Sequence, residues 1–205
     1  MGKRLRQAHL SRLLSALLAL LLLWPPLPAF AGEYDPAHPE NLEARNLRAS
    51  SAIVIEQSSG RVLFEKNADE MRPPASTTKI LTALLALAKN QDEIVTVSAY
   101  AASVPEDASK IGLKEGEQVR LGDLIRATMV QSGNDGAIAI AEHLMGSEQA
   151  FVALMNEAAV RYGCTGTHFT NSHGYHEDYH LSTARDLAII AREAMQNSEF
   201  RQIAL

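Results

Sequence analysis

A serine followed three residues later by a lysine, Ser76-Thr77-Thr78-Lys79, stands where the Pro73-Pro74-Ala75 turn meets a long apolar run. Serine is a weak nucleophile and needs a base close by. At i and i+3 of a helix the two side chains share a face, one turn apart, so the lysine can be that base. It serves only where burial and the positive helix end bring its pKa down toward neutrality. The same helix end aims backbone N–H groups at an anion forming on a bound carbonyl. The chemistry open to such a pair is acyl transfer through a serine ester. The plainer alternative is a capping serine beside a solvated lysine.

A second polar cluster, Ser132-Gly133-Asn134, falls 56 residues after Ser76 in a turn between two helical stretches. Its residue types suit helix capping. On one tight turn a hydroxyl and a side-chain amide can also relay a proton and hold a substrate amide. His176-Glu177-Asp178-Tyr179-His180 matches H-E-x-x-H, a zinc pattern with Glu193 or Glu199 available as a third ligand. That chemistry needs both histidines one turn apart on a helix. Gly174 before the stretch and a new helix start at Leu181-Ser182-Thr183 make it a loop instead. His173 is read as structural, and Cys164, the only cysteine, as a small buried apolar residue.

The elements that must position these residues are mainly helical. Residues 52–56 and 61–65 are short apolar and β-branched runs around Gln57-Ser58-Ser59-Gly60, a β-hairpin pattern. From Thr77 to Asn90 leucines and isoleucine recur at helical spacing. A strand is expected at 94–97, then a polar loop through Gly116. Asp123 can cap a helix over 124–131, and a second runs from the 132–135 turn to Met145, stopped by Gly146. Ser147 caps a third, with Phe151, Leu154, Met155 and Ala158 on one face and Gly163 at its end. Thr183-Ala184-Arg185-Asp186 fits a capping box opening a last helix to about Asn197. The strands are few for the helices they must cover, and a lone hairpin is marginal in water.

The 205 residues are 46% hydrophobic and 21% charged, too apolar for a disordered chain. Lys3, Arg4, Arg6 and Arg12 precede an apolar run over 13–24, then Pro25-Pro26 and Ala29-Phe30-Ala31. This is the pattern of a signal peptide over 1–31, cleaved before Gly32, and the run is too short to span roughly 30 Å of hydrocarbon. An extended lead-in over 32–50 follows. Without residues 1–31 the formal net charge moves from −5 to −9, which argues against a nucleic-acid partner. A single cysteine excludes an intrachain disulfide.

Together the two serine motifs resemble those of the penicillin-recognising serine hydrolases, which pair S-x-x-K with S-x-N and K-T-G. More narrowly the chain is similar to the serine-type D-Ala-D-Ala carboxypeptidases, the low-molecular-mass penicillin-binding proteins. The carrying stretches are R-V-L-F-E-K-N-A-D (61–69), R-P-P-A-S-T-T-K-I-L-T (72–82), L-K-E-G-E (113–117), S-G-N-D (132–135), T-H-F-T-N-S-H-G (167–174) and H-L-S-T-A-R-D-L-A (180–188). The resemblance implies an α+β, two-part fold like that of penicillin-binding proteins and β-lactamases, a helical lobe against an antiparallel sheet. It implies Ser76 as the acylated nucleophile, Lys79 as its general base, Ser132 as the proton shuttle and Asn134 as the substrate-binding amide. The Ser76 N–H would supply half of an oxyanion hole. Residues 51–205 would then be a catalytic domain lacking its C-terminal sheet strands, since none of the six lysines precedes Thr-Gly or Ser-Gly.

The activity so implied is hydrolysis of the terminal D-alanine from peptidoglycan pentapeptide stems, with β-lactams as covalent inhibitors and no metal or cofactor. An exported protein at the periplasm or outer envelope face is expected, with no membrane anchor in this chain. An inert penicillin-binding-protein-like fragment is the alternative. A β-lactamase fits less well, because Gly133 fills the middle of S-x-N and no E-x-x-L-N follows.

Overall fold

The computed structural model describes residues 47–204; the expected signal peptide and most of the expected lead-in lie outside them. β1 (Ala52–Ile55) and β2 (Val62–Lys66) form an antiparallel hairpin, with a register shift between Val54 and Ile55. Gly60 turns it at φ +76°, a backbone region that glycine enters without steric cost. β3 (Ile94–Thr96) pairs antiparallel with β4 (Gln118–Arg120) in a separate two-stranded sheet. Helices make up the rest: α1 (Lys79–Ala86), α2 (Ala99–Ala102), α3 (Leu121–Gln131), α4 (Asn134–Met145), α5 (Glu148–Arg161), α6 (Ala184–Ala194) and α7 (Ser198–Ala204).

α1 is the hub, packing against α3, α4, α5 and α6. Its Ala83 and Ala86 join Val95, Leu124, Ile125, Ile138 and Ile140 in one core. Its Leu81 joins Phe151, Met155, Phe169 and Ile190 in another. Each fully buried Leu, Ile or Phe contributes roughly 1.5–3 kcal/mol, so the two cores fix α1 from both sides. α6 covers β1, supplying the lid that the hairpin needs.

The strand limits move by a single residue, and four expected boundaries shift further. The helix expected over 77–90 is a 3-10 turn (Ala75–Thr78) and then α1, ending at Ala86. The Gln91 amide takes the Lys89 carbonyl at 2.8 Å and Asn90 Oδ1 accepts from Asp92 N, so local side chains compete for the groups that would extend it. The loop expected through Gly116 contains α2, capped by Ser98 Oγ accepting from Ala101 N, and it is followed by β4. α3 starts at Leu121 rather than 124; Asp123 lies in its first turn and takes the Arg120 guanidinium at 2.9 Å. The last expected helix stops at Ala194, and Asn197 Oδ1 caps α7 by accepting from Glu199 N and Phe200 N.

Candidate active site

The turn that carries Ser76 begins with backbone tension. Ala75 has φ +49°, costing a non-glycine residue roughly 1–2 kcal/mol. The strain is held by Gly174, where an added Cβ would sit 1.9 Å from the Ala75 carbonyl oxygen. The 170–174 loop therefore lies directly on the turn. Ser76, next in sequence, is exposed, whereas Lys79 is only 2% exposed.

Lys79 Nζ reaches three oxygens: His173 O at 2.6 Å, Asn134 Oδ1 at 2.8 Å and Ser76 Oγ at 3.5 Å. A neutral amine has two N–H bonds and one lone pair. The two carbonyl oxygens can take the N–H bonds, leaving the lone pair for the Ser76 hydroxyl. Burial pushes the Lys79 pKa down to about 8, against the opposing charge of Asp135. Both conditions for a lysine base, proximity and a depressed pKa, meet at one atom.

The carbonyl that Lys79 uses is fixed by the loop carrying it. Ser172 O accepts from Thr82 Oγ1 at 2.6 Å, one turn along α1 from the Lys79 contact. Glu148 Oε1, in the first turn of α5, accepts from Ser172 N and Oγ at 2.9 and 2.6 Å. Asn171 Oδ1 accepts from Gly174 N at 2.7 Å. The His173 ring has partners of its own. Its Nδ1 accepts from Tyr175 N, and its Nε2 lies 3.6 Å from Glu148 Oε1. Burial lowers its pKa, with the Glu148 charge opposing. It is the backbone carbonyl of His173, not its ring, that meets Lys79 Nζ.

Ser132 ends α3 in the left-handed region at φ 57°. Its Oγ is buried without a hydrogen-bond partner among the described residues. Asn134 opens α4, and its backbone N donates to Ser109 O at 2.8 Å. Asp135, 1% exposed, accepts from the backbone N–H groups of Ile111, Gly112, Leu113 and Gly136 at 2.8–3.1 Å. It thus nails the 109–113 loop to the start of α4. A Cβ at Gly133 would lie 2.6 Å from Ile111 Cγ1, so the loop packs where only glycine leaves room.

The structure brings Ser76, Lys79 and Asn134 into one hydrogen-bonded group, with Ser132 at the head of the same S-G-N turn. Asp135, Glu148 and the His173 carbonyl escaped sequence reasoning. A backbone acceptor has no residue signature, and Asp135 and Glu148 read locally as first-turn acids favoured by the helix dipole. The H-E-x-x-H stretch is not helical: His176 and Glu177 are exposed and His180 is 2% exposed, so the one-turn zinc geometry is not formed. Cys164 is buried and its pKa is pushed up to about 12, chiefly by burial.

The profile of the D-alanyl-D-alanine carboxypeptidase family, peptidase S11, matches residues 38–205. The chain belongs to this family. It is 37% identical over 193 residues to D-alanyl-D-alanine carboxypeptidase DacF of Bacillus subtilis, covering 91% of the chain and 48% of that relative. It is 39% identical to DacC of Escherichia coli, covering 90% of the chain and 47% of the relative. It therefore spans about half the length of these curated relatives. Among solved structures it superposes on the carboxypeptidase DacD of Francisella tularensis with TM-score 0.73 at 36% identity, covering 80% of this chain and 40% of that one. Penicillin binding protein 6B of Escherichia coli gives 0.72 at 32% identity, covering 76% and 52%. The α+β fold is that of the family's penicillin-binding proteins.

Proposed function

We propose that this chain carries the acylation centre of a serine-type D-alanyl-D-alanine carboxypeptidase acting on peptidoglycan stem peptides. The observation that carries the reading is Lys79 Nζ, buried, depressed to about pKa 8, and hydrogen-bonded to Asn134 Oδ1 and His173 O with Ser76 Oγ 3.5 Å away.

Lys79 accepts the Ser76 proton as Oγ attacks the carbonyl carbon of the penultimate D-alanine. The Oγ–C bond forms and the tetrahedral oxyanion collects charge at the start of α1, where helix-end N–H groups favour it. Collapse breaks the C–N bond, and a proton passes to the leaving amine of the terminal D-alanine. Ser132, whose buried hydroxyl has no partner among the described residues, is placed to pass it on. Asn134 holds the substrate amide by its free amide N–H, since its Oδ1 is taken by Lys79. Water then hydrolyses the ester, with Lys79 as base once more. Penicillin follows the first half of the path, its ring opening without loss of a group. The basic, apolar, small-x-small start of the chain supports export to the envelope, where this substrate is found.

Intact-mass measurement after incubation with penicillin tests the reading. A gain of one penicillin per chain, abolished by Ser76→Ala, is expected. A folded chain that gains no mass, or a gain surviving Ser76→Ala, overturns it.

A further inference from the structure

The only buried histidine of the H-E-x-x-H stretch sits against the nucleophile turn rather than a metal. His180 Nδ1 lies 3.0 Å from Thr170 N and 3.2 Å from Thr170 Oγ1. A backbone N–H can only donate, so Nδ1 is an acceptor and the neutral ring carries its proton on Nε2. Nε2 lies 2.9 Å from Thr78 Oγ1, to which it donates. Thr78, fully buried, is the last residue of the 3-10 turn and the cap position of α1. It stands between Ser76 and Lys79 in the chain. Neither the 3-10 turn nor α1 has a side-chain cap of its own.

The frame behind His180 is firm. His168 and Leu181 exchange backbone hydrogen bonds at 2.8 and 2.9 Å, as do Arg72 and Ser182. The second bridge ends one residue before Pro73. The Phe169 ring lies 5.6 Å from the imidazole, centre to centre. We propose that His180 is a positioning residue for the nucleophile, setting through Thr78 the angle at which the Ala75–Thr78 turn offers Ser76 to Lys79. Burial holds the ring neutral, with its pKa lowered to about 4, so the bond persists across the working pH range. Protonation would set an Nδ1–H against the Thr170 N–H.

This inference rests on the proposed acylation of Ser76, and the test separates the two. Rate constants and final stoichiometry of penicillin adduct formation are measured for the wild-type chain, His180→Gln, His180→Phe, Thr78→Val and the His180→Phe/Thr78→Val double variant. His180→Phe and Thr78→Val should slow acylation between about 10- and 100-fold, the range expected for a misaligned reacting group. Stoichiometry should stay near one, His180→Gln should recover most of the rate because its amide can donate to Thr78, and the double variant should be no slower than the slower single one. Unchanged rates, additive losses, or lost stoichiometry at an unchanged rate would overturn the proposal. In parallel, Ser76→Cys is alkylated with iodoacetamide with and without His180→Phe. Cys164 is buried and stays protonated near neutrality, so it does not compete. The Ser76→Cys thiol should react at least about tenfold more slowly in the His180→Phe background, because it loses its alignment with Lys79. Equal thiol rates overturn the positioning role. A thiol difference with no penicillin adduct in any variant overturns the acyl-transfer reading and leaves the role of His180 standing.

Discussion

Two regions of this molecule are held together by opposite means. Around Lys79 largely buried carboxylates gather many donors, with Ser132 Oγ the exception left without a partner among the described residues: the Asp135 carboxylate draws in four backbone N–H groups, and Glu148 draws in the backbone and side chain of Ser172. The β1–β2 hairpin, covered by α6, carries its polar ties at exposed positions. Arg185 forks to Asp69 at 2.6 Å and Glu65 at 2.7 Å, and Arg192 donates to Gln57 O. Removing the partner of a buried polar group is costly, whereas exposed ion pairs exchange readily with water and salt. The hydrogen bonds that cost most to break are thus concentrated around Lys79 Nζ and its oxygen partners.

Substitutions can break this contrast at either side. The largest effect is expected from Asp135→Ala, which strips the acceptor from four donors at once. Urea unfolding should show a loss of about 3 kcal/mol or more, with Asp135→Asn losing less. Gly174→Ala comes next. Its Cβ meets the Ala75 carbonyl at a residue whose φ is +85°, so the Ala75–Thr78 turn must shift. Penicillin acylation should fall by about 100-fold while the cores stay folded, as read by adduct mass and circular dichroism.

Changing pH sharpens the contrast without mutation. Lys79 must be neutral to take the Ser76 proton, so the acylation rate should rise with pH and level off above about 8. Its folded pKa lies below the ordinary 10.5. Between about 8 and 10.5 the unfolded chain binds a proton that the fold does not, and this group's contribution to stability rises with pH there. A rate that stays flat from pH 6 to 9 would remove Lys79 as the base. The smallest effect belongs to Arg185→Gln. The midpoint should drop less than for Asp135→Ala, and the difference should shrink as salt screens the exposed pair in the parent chain.

What the sequence made legible was local. Ser147 and Thr183 cap their helices through Ala150 N and Asp186 N, and Gly146 ends α4 in the left-handed region. Each signal is complete within about four residues. Ser76 and Lys79 were readable for the same reason, being one helical turn apart. β4 was not, because three residues with polar outer positions carry no period of their own. Half of the Thr183 capping box also dissolved. The Asp186 carboxylate accepts instead from Gly166 N and Thr167 Oγ1, a tertiary contact that no local pattern encodes. The partners of Lys79 illustrate the limit best. Asn134 belongs to a short motif and could be nominated from it, while the second acceptor is a main-chain oxygen 94 residues away.

That separation has a consequence for how the chain comes to be competent. Loops of 55 and 94 residues must close before Lys79 has both of its carbonyl partners. Closure of such spans is slow compared with formation of α1 itself. During refolding, helix signal should recover well before the chain can be labelled by penicillin. Pulse-labelling with a fluorescent penicillin would therefore time the last long-range step of folding, with Ser76 serving as its clock.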